Sequence, residues 1–332
     1  MADPASQGFR WKLADDDGGQ PTLFPIEDLV ERHVGIGEYR GLEFIHVQAK
    51  QIINPVPPSS RMSFRFTINA YRGCSHACVY CFARPTHEYL GLGIGEDFER
   101  KIVVKVNAVE RLAAELRSRR WRGEHIAMGT NTDPYQAAEG KYHLTRGIVQ
   151  TLGEAGNPFS ILTKSTLILR DLDLLSRAAE RTSVRCSLSI GTLDEGVWRS
   201  TEPGTPHPRR RVEAVRRLND AGIPTGVLVA PLIPGISDSD VQVREVVDAC
   251  AEAGAVSIGG VPLHLRPGVR QHFMAWLGRE HPDLVPSYRS RYRTSYLAAS
   301  EQHVTIAKVK GRLAERAGRP SRPGRPERVP ER

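Results

Sequence analysis

This sequence predicts an α/β fold built on a parallel, barrel-like sheet. Strand-like and helix-like runs alternate from Ser63 onward, and the strand-like runs are short and mostly apolar, as strands covered on both faces are. Six such units follow one another within about 220 residues, and no G-x-G-x-x-G follows the first strand, which favours a barrel over an open dinucleotide-type sheet.

Residues 1–62 read as an N-terminal extension. The first twenty or so are rich in Asp, Gly and Gln without periodicity and cannot bury enough apolar area to become ordered. From Pro21 to Arg61 come short apolar pieces such as Phe44-Ile45-His46-Val47, then Asn54-Pro55-Val56-Pro57-Pro58, the pattern of a segment wrapped on a core. The core, residues 63–280, places its strands at 64–71, 125–128, 159–163, 184–190, 225–230 and 256–265. Amphipathic helices lie between them: Val109, Leu112, Ala113 and Leu116 share a face, as do Ile148 and Leu152, and Val243, Val246, Val247 and Cys250. Gly156 and Gly222 sit where left-handed helix caps favour glycine, and Asp171 and Asp238 where N-caps are expected. Residues 281–310 form a C-terminal cap. Residues 311–332, rich in Arg, Pro and Gly, form a disordered basic tail; their seven arginines against three glutamates carry half of the formal net charge of +8.

Composition narrows the function classes. The apolar and charged fractions, 40% and 25%, are those of an ordinary globular chain. No stretch approaches the roughly 20 apolar residues of a membrane span, and the N-terminus lacks an apolar signal core, so a cytoplasmic protein with no membrane contact is expected. Five cysteines is an odd number, and three fall within eight residues, which suits a metal centre rather than a disulfide framework.

Those three cysteines follow the first strand in Tyr71-Arg72-Gly73-Cys74-Ser75-His76-Ala77-Cys78-Val79-Tyr80-Cys81-Phe82-Ala83-Arg84, a C-x3-C-x2-C spacing. Gly73 lets the chain turn tightly on leaving the strand. Three converging thiolates select an iron-sulfur cluster or zinc over hard cations. On the residues alone, zinc with His76 as fourth ligand stays open. A 4Fe-4S cluster held by three cysteines would leave one iron free for a small molecule.

The motif and its setting resemble the radical S-adenosylmethionine (SAM) superfamily, whose C-x3-C-x-aromatic-C follows the first strand of a partial (βα)6 TIM-like barrel; the match spans residues from about 64 to 280. The resemblance implies a 4Fe-4S cluster on Cys74, Cys78 and Cys81, with the open iron chelating S-adenosyl-L-methionine. An electron from a low-potential donor of flavodoxin or ferredoxin type would cleave it to a 5'-deoxyadenosyl radical that abstracts a substrate hydrogen. Tyr80 takes the aromatic position beside the adenine, and Asn131, Thr132 and Asp133 fall where members contact the methionine amino group; a plain Asn-Asp-Pro turn is the alternative.

Further candidates come from the ends of the strands, where ligands collect in α/β folds. Lys164 puts a cation after strand three, to hold a carboxylate or phosphate. Ser187 and Ser189, two apart on one strand face, suit a ribose or the methionine carboxylate, whereas Cys186 and Cys250 read as core. The loop from Thr201 to Pro206 leading to Arg209, Arg210 and Arg211, and the Pro-Gly loop after strand five, either line a site or act as rigid connections. Arg266 ends strand six and meets an anionic ligand or a salt bridge. Arg117, Arg119, Arg120 and Arg122 form one basic cluster; Arg289, Arg291 and Arg293 alternate with Tyr288 and Tyr292 in another. Both suggest nucleic acid, with phosphates on the arginines and bases on the tyrosines.

Within the superfamily, Asn69-Ala70-Tyr71-Arg72-Gly73-Cys74, Thr132-Asp133-Pro134-Tyr135-Gln136, Leu162-Thr163-Lys164-Ser165 and Ala230-Pro231-Leu232-Ile233-Pro234-Gly235 resemble the branch of spore photoproduct lyase, the DNA repair lyases. Two positions depart from it: Thr130 stands where that lyase has its hydrogen-donor cysteine, and Phe82 replaces a tyrosine after the third cluster cysteine. Three functions follow as candidates: a radical enzyme acting on nucleic acid, one acting on a protein or small molecule, and a non-enzymatic zinc module that binds nucleic acid.

Overall fold

Six of the apolar runs become strands, and they pair in the order in which the chain presents them. The structure, a computed structural model, describes residues 29–60 and 62–317. Its strands are β1 (Leu29–Val34), β2 (Glu43–Val47), β3 (Ile53–Pro55), β4 (Phe66–Ile68), β5 (Tyr71–Arg72), β6 (Lys101–Lys105), β7 (Ile126–Met128), β8 (Phe159–Thr163), β9 (Val184–Ser189), β10 (Thr225–Leu232) and β11 (Ile258–Pro262). The large sheet runs β11-β10-β9-β8-β7-β4-β3. From β4 to β11 every pairing is parallel, with β3 added antiparallel on the β4 edge. The order never reverses, so the sheet has no topological switch point of the Rossmann kind; it curls as a barrel that stops short of closure.

Alternation along the strands separates core from mouth. Val184, Cys186 and Leu188 of β9 face the main apolar core, together with Phe159 and Ile161 of β8 and with Leu112, Ile148, Leu152, Val246 and Cys250 from the surrounding helices. Ser187 and Ser189 therefore fall on the opposite, inner face. Gly156 and Gly222 have φ of +64° and +77°, as their cap positions require.

Several expectations are corrected. The first run splits: Phe66–Ile68 stays in the barrel, while Tyr71–Arg72 leaves it to pair antiparallel with β6 in a second sheet, β1-β2-β6-β5. Of that sheet only the Phe44–Val47 piece was legible. The last run shortens to Ile258–Pro262. Ser239, not Asp238, caps helix Asp240–Glu252, in a capping box with Gln242, and Asp238 instead accepts from the Gly235 amide. Asp171 does not cap with its side chain; it is buried and binds Arg146 and Arg170.

Residues 311–316, expected in the basic tail, belong to a helix. Helix Ala299–Arg316 packs on β11 and on helix Asp240–Glu252. Val309 is fully buried, and Arg312 and Arg316 bond the Asp248 carboxylate at 2.6–3.0 Å, which holds the last turns in place. Residues 318–332 and the first twenty residues, for which looseness was expected, lie outside the described residues.

Candidate active site

The cysteine loop leaves β5 through Gly73, whose φ is +78°. A Cβ there would lie 2.9 Å from both the His87 ring and the Phe98 carbonyl oxygen. The loop lies over the C-terminal ends of the barrel strands, and four neighbours hold it. Gln136 donates to the Gly73 carbonyl (2.9 Å) and accepts from the Ser75 amide (3.0 Å), and the Thr132 hydroxyl also donates to Gly73 (2.6 Å). Asp133 faces His76 Nδ1 at 3.3 Å while accepting from the Thr163 hydroxyl (2.6 Å) and the Lys164 amide (2.7 Å), so it ties the loop to the end of β8. Arg84, fully buried, donates to the carbonyls of Ala77, Cys78, Ile94 and Gly95 and pairs with Glu99 at 2.6 Å. The segment after helix Glu195–Thr201 closes the other side: the Val79 amide donates to Thr201 and the Gly204 amide to His76.

Cys74 and Cys78 are buried, Cys81 is partly so, and all three are free thiols. Burial pushes Cys78 up to about 12, aided by the nearby Glu202 carboxylate, and raises Cys74 and Cys81 as well. Thiolates in this setting require a cationic centre beside them.

Next to the cysteines lies a buried polar cluster centred on Glu202. Its carboxylate meets Lys164 Nζ at 3.1 Å and Arg211 at 2.6 Å, and it accepts from the Tyr80 hydroxyl. Lys164 Nζ also donates to Ser189 Oγ (2.6 Å) and lies 5.6 Å from the centre of the Tyr80 ring. Arg211, fully buried, donates to the Ser189 carbonyl at 3.1 Å and to Thr205. Burial would raise the Glu202 carboxyl, but Arg211, Lys164 and the Tyr80 hydroxyl outweigh it and hold the group at about 2. Two cations against one carboxylate leave the cluster with one positive charge in excess.

Of the residues singled out from sequence, Cys74, Cys78, Cys81, Tyr80, Thr132, Asp133, Lys164 and Ser189 belong to this connected assembly. The Thr132 hydroxyl and the Asp133 carboxylate are already committed to holding the cysteine loop. Asn131 is tied through its backbone amide to Asn69 (3.2 Å), and no partner of its side chain or of Ser187 Oγ is found among the described residues. Arg266 follows β11 and forms no ion pair among the described residues; the partly buried His264 is lowered from the ordinary histidine range by burial first and by the Arg266 charge second. Gln136 and Arg84 were quoted in sequence without a role, and Glu202 and Arg211 only as members of a connecting loop. Nothing local marks them, because the partners that give them their place lie far off in the chain, Tyr80 and Glu202 being 122 positions apart and Gln136 and Gly73 being 63 apart.

The basic clusters do not assemble as expected. Arg117–Arg122 precede β7, at the N-terminal end of the barrel and thus opposite the cysteine loop. Tyr288 and Tyr292 are buried, their hydroxyls donating to Pro234 and Leu263, so neither can stack a base. Arg291 pairs with Glu301 at 2.6 Å.

A three-cysteine loop at the mouth of a partial parallel barrel defines a class of enzyme. Residues 68–247 match the radical SAM superfamily, and the chain belongs to it. It is 43% identical over 314 residues to an uncharacterized protein of Mycobacterium tuberculosis, covering 94% of this chain and 92% of that one. It is 25% identical to the radical SAM Nalpha-GlyT isomerase of Pseudomonas phage M6, over 54% of this chain and 35% of the isomerase. The solved structure of spore photoproduct lyase complexed with dinucleoside spore photoproduct superposes with a TM-score of 0.62 at 17% identity, over 82% of this chain and 79% of the lyase, a likeness of fold. Superfamily membership removes the non-enzymatic zinc module from the candidates.

Proposed function

We propose that this chain holds a 4Fe-4S cluster on Cys74, Cys78 and Cys81, binds S-adenosylmethionine beside it, and abstracts a hydrogen from a nucleic-acid substrate after one-electron reduction by a flavodoxin- or ferredoxin-type donor. The observation that carries this is the union of three free thiols, two buried and one partly so, with a buried cluster of excess positive charge at one barrel mouth. The donor set fits the group. A zinc ion with bonds near 2.3 Å gathers its sulfurs to about 3.8 Å of one another, whereas among the described residues only Glu31, His33 and His46 bring three donor atoms within 4.8 Å. The thiols are spread for something larger than one ion, and no fourth cysteine is at hand, because Cys186 and Cys250 are packed in the core.

When bound, the cluster and S-adenosylmethionine supply a 5'-deoxyadenosyl radical. The chain's own part is placement. Arg84, Gln136, Thr132 and Asp133 fix the loop that presents the thiols. The single excess charge of the Lys164-Arg211-Glu202 cluster suits a carboxylate, and Ser187, on the same strand face as Ser189, and Asn131, after β7, are the further polar candidates for the ligand. Tyr80, held by Glu202, gives an aromatic wall. For the substrate, support comes from the fold shared with a lyase solved with a dinucleoside photoproduct. Further support is the exposed Tyr296 ring stacked at 4.1 Å on His264, beside Arg266, a pairing of aromatic face and cation that suits a base and its phosphate.

Anaerobic reconstitution with iron and sulfide, then addition of S-adenosylmethionine and dithionite, should give 5'-deoxyadenosine, and oligonucleotides should change its rate of formation. Deuterium from a labelled oligonucleotide should appear in 5'-deoxyadenosine. Stoichiometric zinc without acid-labile sulfide would sink the cluster assignment, and product formation indifferent to any oligonucleotide would redirect the search to protein or small-molecule substrates.

A further inference from the structure

We infer that Glu31, His33 and His46 form a second metal site, for a divalent first-row transition ion such as zinc, on the outer sheet away from the cysteine loop. In the β1–β2 pair Glu31 stands opposite His46 and His33 opposite Phe44, so the period of two puts all three side chains on one face. One donor atom from each lies within 4.8 Å of the others, and no other trio among the described residues does this.

The details are those of co-ligands more than of a simple ion pair. His33 Nε2 is 2.7 Å from Glu31 Oε2, yet that nitrogen is shielded from water and makes no hydrogen bond. The two atoms sit side by side, not aimed at each other. The His33 and His46 rings lie 4.3 Å apart, tilted by 43°. His46 Nε2 is engaged by the Tyr142 hydroxyl at 2.7 Å, which fixes the ring and leaves Nδ1 to donate, as partners of metal-bound histidines do. The Lys141 ammonium lies over the Phe44 and Tyr142 rings at 5.2 and 5.3 Å.

Two imidazoles and one carboxylate select zinc and its first-row neighbours over magnesium or calcium, and Glu31, largely exposed, leaves room for a water ligand. Tyr142 ends helix Ala137–Tyr142, which begins right after Gln136. An ion here would therefore pin the outer sheet to the helix whose first residues hold the cysteine loop.

The test uses untagged, cluster-loaded protein exposed anaerobically to zinc, desalted, and analysed for zinc and iron per chain, with X-ray absorption at the zinc edge. The expected result is one zinc beyond the iron, with nitrogen and oxygen neighbours only. His33→Asn should weaken binding at least 10-fold. Glu31→Gln, at an exposed side chain that the fold does not need, should do the same with iron content unchanged. No retained zinc, a sulfur shell around it, or equal retention by both variants overturns the site; the first and the last leave the cluster assignment untouched, and iron and sulfide per chain, measured on the same samples, judge the cluster separately.

Discussion

Replacing Glu202 by glutamine tests how the barrel mouth is held together. Among the described residues the carboxylate is the only counter-charge in contact with Lys164 (3.1 Å) and Arg211 (2.6 Å), whose side chains are 14% and 1% exposed. Glutamine keeps the shape and strands both cations, and breaking a buried pair from one side costs about 3–5 kcal/mol. The titration gives a similar size by a separate route. A carboxyl held at about 2 against an ordinary 4.5 corresponds to roughly 3 kcal/mol at neutral pH. Urea unfolding of the metal-free protein at pH 7 should therefore show an unfolding free energy lowered by that amount, seen as a lower midpoint with an unchanged slope. Adding Lys164→Met to Glu202→Gln should restore part of the loss by removing one stranded charge. Because the folded carboxyl lies below its unfolded value, its contribution is complete above about pH 4.5 and disappears as pH falls toward 2, so wild type and variant should converge in acid. A loss under about 1 kcal/mol at pH 7, or a difference that stays constant into acid, would refute the ion-pair account.

Arg84→Met should destabilise by about 3 kcal/mol in the same assay, since four backbone carbonyls and Glu99 lose a fully buried partner, and iron retained per chain after reconstitution should fall. Gly204→Ala should distort the cysteine loop: its Cβ would lie 2.1 Å from the Ser75 carbonyl oxygen, a backbone atom that cannot rotate aside, so iron content should drop even where the chain still folds. Cys250→Ala, in the core behind the barrel, should cost about 1–2 kcal/mol in unfolding while iron and sulfide per chain stay at the wild-type level.

Local patterns carried much of the fold. The runs at 159–163 and 184–190 agree with β8 and β9 almost residue for residue, because the apolar residues recur along both runs and Gly156 marks where the helix before β8 stops. The outer sheet was mostly illegible. Lys101–Lys105 is a five-residue strand with a lysine at each end, and Tyr71–Arg72 is too short to carry a period. The tyrosines at 288 and 292 misled for a related reason: an Arg-Tyr alternation reads as an exposed stacking surface until Pro234 and Leu263 are seen to take the hydroxyls inside.

The three cysteines at their spacing, after the first of six βα units, were enough to point to the superfamily, since residues that sit within one short loop need no other part of the chain to find one another. The cluster around Glu202 had no such advantage. Tyr80, Lys164, Ser189, Glu202 and Arg211 come from four separate segments, and a buried carboxylate is worth keeping only when cations from other strands reach it. Which charges cancel, and which one remains to receive a ligand, is a property of distances in three dimensions that no run of neighbouring residues encodes.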